Sequence, residues 1–221
     1  MKTIATALAS SLLTATVLAG LWWHAVPTDP TAEDRLAVHH ILAPTYQDEI
    51  AMIALVQARV LAASPLAAGI PKGQPREPAD LLRAGGGLCF DRSRAIEKAL
   101  AALGFQTRHI ALYRDLEALV LPGVGSHALT EVRTAEGWLL VDSVSPWLGL
   151  DEAGQPVSAA RARLGDVRWG MPLPTSGGTE LLARPGFLFV RGLYSRHGQF
   201  FPPYWPFPDI AWRDFLWLGG H

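Results

Sequence analysis

One cysteine occurs in 221 residues, Cys89, and it follows Gly85, Gly86 and Gly87 at the start of a helical pattern, "CFDRSRAIEKALAALGF". A thiol in a first helical turn meets unpaired backbone N–H groups and the positive end of the helix dipole. Both stabilise an anion and lower the thiol pKa from its usual value of about 8.5. A thiolate so placed is a nucleophile for a carbonyl carbon. The glycines would let backbone approach closely and leave room for a substrate carbonyl, with Gly87 beside it; they equally suit a loop that needs positive φ. The structural alternative for Cys89 is a small buried hydrophobe. A base is available in His127, which opens one strand, and an orienting carboxylate in Asp142, which closes the next. They stand an odd number of positions apart, so an even-numbered turn brings both side chains to one face at one end of a hairpin; a three-residue turn breaks that arrangement. A His held by a carboxylate has the tautomer and orientation to take a proton from a thiol. Singly, His127 is a polar strand end and Asp142 a turn former, and Glu131 is the fallback orienting group.

The elements that must position these groups follow from periodicity. Ile96, Ala99, Leu100 and Leu103 recur at helical steps behind Cys89, Arg94 and Lys98 can face water, and Gly104 stops the helix. After it the period changes to two: "QTRHIALY", "HALTEVRT" and "WLLVD" read as strands, the last two joined around Ala135, Glu136 and Gly137. Upstream, Asp29 to Ala63 is helical scaffold divided at Pro44, and the adjacent His39 and His40 lie on different helix faces, a poor metal pair. Ser64 to Asp80 is a loop rich in Pro and Gly.

With 49% hydrophobic and 18% charged residues the chain is one globular domain plus attachments. A net charge of −1 without a basic run leaves no electrostatic footprint for nucleic acid. No histidine set has metal-ligand spacing, and the chemistry requires neither metal nor cofactor. Residues 1–25 read as a signal peptide or an uncleaved membrane anchor: Lys2 precedes an uncharged run over residues 3–23, Val17 and Ala19 offer a small-residue cleavage site, and Trp22 and Trp23 stand where an interfacial belt would lie. Membrane contact would run through residues 3–23, with the domain outside the cytoplasm, periplasmic or tethered. In an oxidising compartment an unpaired cysteine needs a reason, which favours the catalytic reading.

The order of Cys89 on a helix, His127 on a strand and Asp142 on the next, with Glu131, Gly137 and Trp138 between, resembles the bacterial transglutaminase-like superfamily. The similarity covers Leu81 to Ser145, in "GGGLCFDRSRAIEKALAALGF" and "HALTEVRTAEGWLLVDS"; Leu129 stands where the family often has Trp. The resemblance implies a papain-like α+β core over residues 29–150, with the central helix packed on an antiparallel sheet, and Cys-His-Asp acyl transfer on an amide or ester. Hydrolysis of a peptide, protein or glycan-linked amide in the envelope is the first expectation, amine transfer the second, and a silent binding protein the third. Residues 151–221 are an aromatic and Pro-rich extension packed on the core, with Trp205, Trp212 and Trp217 as a covering layer. Trp138, Tyr194, Arg196 and His197 join Gly87 as candidate substrate-binding residues.

Overall fold

The computed structural model describes residues 11–17, 45–71, 74, 76–120, 125–196, 199–200 and 210–215. Residues 11–17 are helical and exposed, and no described helix is long and apolar enough to cross a membrane. The remainder of the N-terminal apolar run, His39 and His40, His197, Trp205 and Trp217 lie outside the described residues.

Helix α1 (Tyr46–Ala63) starts where the Thr45 side chain accepts from the Asp48 N–H, and it buries Met52, Ile53, Val56 and Val60 at three- and four-residue steps. Helix α2 (Pro78–Ala84) falls mostly beyond the expected loop. Pro78 is pre-set for a first helical turn, the Asp80 carboxylate accepts from the Glu77 N–H at 3.1 Å, and Gly85 ends the helix at φ 69°. The glycine run is therefore first a packing device. A Cβ on Gly86 would stand 2.8 Å from Ala67 Cβ, and one on Gly87 2.5 Å from Leu81 Cδ1. Gly87 also exchanges backbone hydrogen bonds with Pro65 and Ala67.

Helix α3 (Cys89–Ala102) begins at the cysteine, and its third residue, Asp91, turns back to accept from the Leu88 N–H at 3.0 Å. Its apolar positions Ala95, Ile96, Ala99 and Leu100 meet α1 and, from the sheet, Val132, Leu139 and Val141. Each fully buried Leu or Ile here contributes about 1.5–3 kcal/mol over its exposed state. Arg94 does not face water as expected: it is 3% exposed, pairs with Glu77 at 2.8 Å and lies over the Tyr194 ring. The α2 cap and the segment around Tyr194 cover this flank of α3, which the helix's own periodicity does not encode.

The sheet is antiparallel, in the order β3-β2-β1-β4, from β1 (Thr107–Tyr113), β2 (Ser126–Thr134), β3 (Gly137–Asp142) and β4 (Leu188–Arg191). A short helix α4 (Leu116–Val120) follows β1. The β2–β3 turn is the two residues Ala135 and Glu136, with Thr134 opposite Gly137 and Leu129 opposite Asp142. One sheet face packs on α1 and α3. The other carries Ile110, Leu112, Leu129 and Leu140 against Trp147, Val157, Ala159 and Ala162 of α5 (Ala159–Arg163), Leu181 and Leu182 of a 3-10 helix (Thr179–Ala183), and Phe187. The architecture is mixed α and β, compatible with an α+β fold. β4 pairs with β1, so the segment after residue 150 supplies a strand of the sheet as well as a cover for it. Beyond it lie β5 (Ser195–Arg196), β6 (Gln199–Phe200) and α6 (Trp212–Phe215).

Candidate active site

The even-numbered turn sets the parity of the hairpin, and His127 and Asp142 meet at its open end. His127 Nε2 and Asp142 Oδ1 are 2.8 Å apart, and both side chains are fully buried. Asp142 is itself fixed by the chain that leaves the strand. Its Oδ1 accepts from the N–H groups of Ser143 at 2.7 Å and Val144 at 3.3 Å, and its Oδ2 from Ser145 at 3.0 Å. Gln57 of α1 donates to the Asp142 carbonyl at 2.7 Å and to that of Trp147 at 2.9 Å. With the carboxylate at Nε2, the ring proton resides there and Nδ1 is left for the thiol.

Cys89 enters because β3 stops early. Its ladder ends with Asp142 opposite Leu129, so the next residues of β2 have no strand on that side. The Ser143 hydroxyl takes the Ala128 carbonyl at 2.6 Å, and the Ala128 N–H turns to the Cys89 sulfur. Groups that a longer strand would satisfy are thereby assigned to the site. Burial pushes the Cys89 thiol up, but the His127 ring, by hydrogen bonding and charge, and the N–H groups of Ala128 and Phe90 outweigh it, and the pKa is lowered. His127 opposes burial through Asp142 and Cys89 and is raised to about 9. Asp142 is lowered: burial acts against it, and the His127 hydrogen bond and charge, the Ser145 N–H and the Thr179 hydroxyl prevail. The set favours thiolate, imidazolium and carboxylate together. The contact between the ring and the sulfur is a loose one: Nδ1 has no partner in strict hydrogen-bond geometry among the described residues, while the ring still acts on the thiol.

Two side chains that sequence reasoning missed complete the surroundings. Thr179 Oγ1 lies 3.3 Å from His127 Nε2. Arg92, one helical turn after Cys89, is 3% exposed, with buried Nε and Nη1 unpartnered among the described residues; burial lowers its pKa, and the charges of Asp142 and Cys89 act the other way. A cavity of about 40 Å³ reaches the thiol, lined by Leu88, Cys89, Phe90, Ala111, Tyr113, Ser126, His127 and Ala128. Cys89 remains partly exposed. No cluster of metal-ligating residues occurs among the described residues.

The other expected contacts lie elsewhere. Gly87 packs on Leu81 and does not line the cavity. Trp138 sits at the opposite end of β3 from Asp142, about 13 Å along a strand rising about 3.3 Å per residue, with Arg108 3.8 Å above its ring. Glu131 pairs with Arg108 and accepts from the Ala159 N–H at 2.6 Å, so it anchors α5 and does not orient His127. Arg196 is placed in β5 by its backbone alone.

Tyr194 belongs to a second buried polar cluster. Its hydroxyl donates to the Glu97 carboxylate at 2.7 and 2.8 Å, and its ring stacks on His109 at 4.4 Å. His109 Nδ1 lies 3.2 Å from Ser93 Oγ, which lies 3.0 Å from Thr130 Oγ1. Burial, then the Arg94 and His127 charges, lower His109 to about 3, and burial raises Glu97 to about 7 against the Tyr194 hydroxyl and Arg94. No protein-family model and no curated protein matches the chain.

Proposed function

We propose that this chain is a transglutaminase-like thiol enzyme with a papain-like core, transferring the acyl group of an amide or ester through Cys89, with water as the usual acceptor. The observation that carries the reading is the buried His127–Asp142 bond beside a thiol at the first residue of α3. Cys89 attacks the carbonyl carbon, and electrons move to its oxygen, where the Cys89 N–H offers one donor. His127 passes its proton to the leaving group as the carbonyl re-forms and the C–N or C–O bond breaks, giving a thioester. A second acceptor, deprotonated by the same ring, releases the acid and the thiol. Asp142 holds the ring throughout. Partial exposure of Cys89 favours water as that acceptor, because amine transfer needs the thioester kept from solvent until an amine arrives. The apolar cavity walls suit a small apolar group next to the carbonyl. The substrate class is a peptide, protein or glycan-linked amide of the envelope, reached by an exported domain that is released or tethered near residue 20. Protease accessibility in spheroplasts tests that topology.

The test of the chemistry is to trap the Cys89 thioester from envelope peptides and glycopeptides and to measure by mass spectrometry how it partitions between water and added amines. Hydrolysed product is expected to dominate. Amine adducts dominating at millimolar amine would make the protein a transferase, and no thioester from any donor would make it a silent binding protein.

A further inference from the structure

The expected triad lies in residues 81–145, yet the turn that touches the imidazole comes from residues 177–179. Gly177 and Gly178 have φ of 85° and 101°, which L side chains rarely adopt. Gly178 also lies flat against the ring: a Cβ there would stand 2.5 Å from His127 Cβ, 2.7 Å from Cγ and 3.0 Å from Nδ1. The turn is held at both ends. The Gly178 N–H donates to Glu180 Oε2 at 2.8 Å, the Gly178 carbonyl accepts from the Leu181 N–H at 3.0 Å, and Leu181 and Leu182 are sunk in the core with Leu129 and Phe187. Thr179 follows, with no solvent exposure and its hydroxyl 3.3 Å from Nε2.

We infer that Thr179 is a positioning residue of the triad, its hydroxyl closing the open flank of the His127–Asp142 bond and holding the imidazole with its proton on Nε2. This rests on the triad reading proposed above. The bookkeeping of one hydroxyl supports it. The Nε2 proton goes to Asp142 Oδ1, the Thr179 proton goes to the same carboxylate, and a Thr179 lone pair faces the Nε2–H as a weaker second acceptor. Both oxygens near Nε2 then act as acceptors toward it, which disfavours a bare Nε2 and leaves Nδ1 as the base toward Cys89. Thr179, without solvent exposure, also helps keep dry a charged bond whose strength depends on its surroundings.

The experiment compares the full chain with Thr179→Val, which keeps the shape, and Thr179→Ser, which keeps the hydroxyl. Iodoacetamide alkylation of Cys89 is followed against pH, and His127 ring nitrogen shifts are recorded where the ring is neutral. The wild type is expected to show a thiolate well below the free-thiol range and the Nε2–H tautomer. Thr179→Val should move the inflection upward and slow alkylation at neutral pH on the order of three- to tenfold, with Thr179→Ser restoring it. An unchanged profile in Thr179→Val, or equal losses in both variants, overturns the role of the hydroxyl while the triad stands. An ordinary or unreactive thiol in the wild type overturns the triad itself. The wild-type tautomer decides the matter even where Thr179→Val does not fold: an Nδ1–H ring refutes the inference.

Discussion

His127 and His109 sit on neighbouring strands, both almost wholly enclosed, and burial alone would strip the proton from each. They end on opposite sides of neutrality, raised to about 9 and lowered to about 3. The difference lies in the carboxylate each ring finds. Asp142 is bonded to His127 and kept ionised by three backbone N–H groups. Glu97 stands 3.9 Å from His109 Nδ1, its oxygens taken by the Tyr194 hydroxyl and its own pKa raised to about 7. His109 is left with the Ser93 hydroxyl and with Arg94, whose charge repels a second cation. Enclosure therefore makes the stakes high and does not choose the outcome; a preorganised, ionised partner does.

The largest way to break the contrast is Asp142→Asn, which keeps an oxygen for the N–H groups of Ser143 and Val144, gives up the one that accepts from Ser145, and removes the charge. His127 should then lose its main upward shift, the thiol should return toward its ordinary range, kcat/KM should fall about 10³- to 10⁴-fold, and alkylation at neutral pH should slow about thirtyfold, to the thiolate fraction of an ordinary thiol. A loss under tenfold would mean that the carboxylate charge is not what separates the two rings.

The next effect is in stability against pH. A thiolate–imidazolium pair holds one proton, as do the unfolded thiol and neutral imidazole between about pH 6.5 and 8.5, so over the part of that range where the lowered thiol is ionised the pair gives no slope. Cys89→Ser removes the compensation. In that variant Asp142 alone still acts to raise the ring against burial, so the stability it lends is fully present below the unfolded value of about 6.5 and is lost as pH rises through a folded value lower than that of the wild type. His109 has the opposite sign: its lowered pKa costs stability as pH falls toward about 3. Glu97 opposes that loss while the pH falls from about 7 to its unfolded range, so acid destabilisation should gather below about pH 4.5. Urea unfolding across pH in wild type and Cys89→Ser measures both arms.

The smallest effect on chemistry sharpens the contrast from the other side. His109→Gln loses the Ser93 bond and the Tyr194 stack, and should cost about 1–3 kcal/mol of stability. Thiol alkylation should stay within about twofold of wild type, as for clusters without a shared partner. A loss comparable to that of Asp142→Asn would show the two clusters acting as one.

The legible parts of this arrangement are the local ones. The start of α3 at Cys89, the hairpin strands and the parity that joins His127 to Asp142 follow from periods of 3.6 and 2 and from a turn of two residues. What escaped depends on chain far away in sequence. Arg94 reads as an exposed charge because its helix period says nothing of α2 or Tyr194. β4 is four residues long and gains its identity only from β1. Thr179 stands in "TSGGTELL", which reads as a polar turn. A double glycine before a threonine was its one signal, and it became meaningful only with the ring against it. Trp138 carries the family-like spacing but lies at the wrong end of its strand for the cavity.

Arg92 has a consequence for how the site meets molecules that carry charge. Thiolate, imidazolium and carboxylate leave one negative charge in excess, and the buried guanidinium brings the sum to zero. In the proposed acyl-enzyme, with the ring neutral, carboxylate and guanidinium would still balance. A centre that is neutral at both stages casts little field into solution, so neither an anionic nor an uncharged electrophile is drawn in or turned away. Iodoacetate and iodoacetamide should therefore alkylate Cys89 in the ratio found for a simple thiol, and that ratio should hardly move with salt. In Arg92→Gln the ratio should turn against iodoacetate and recover as salt screens the uncovered charge.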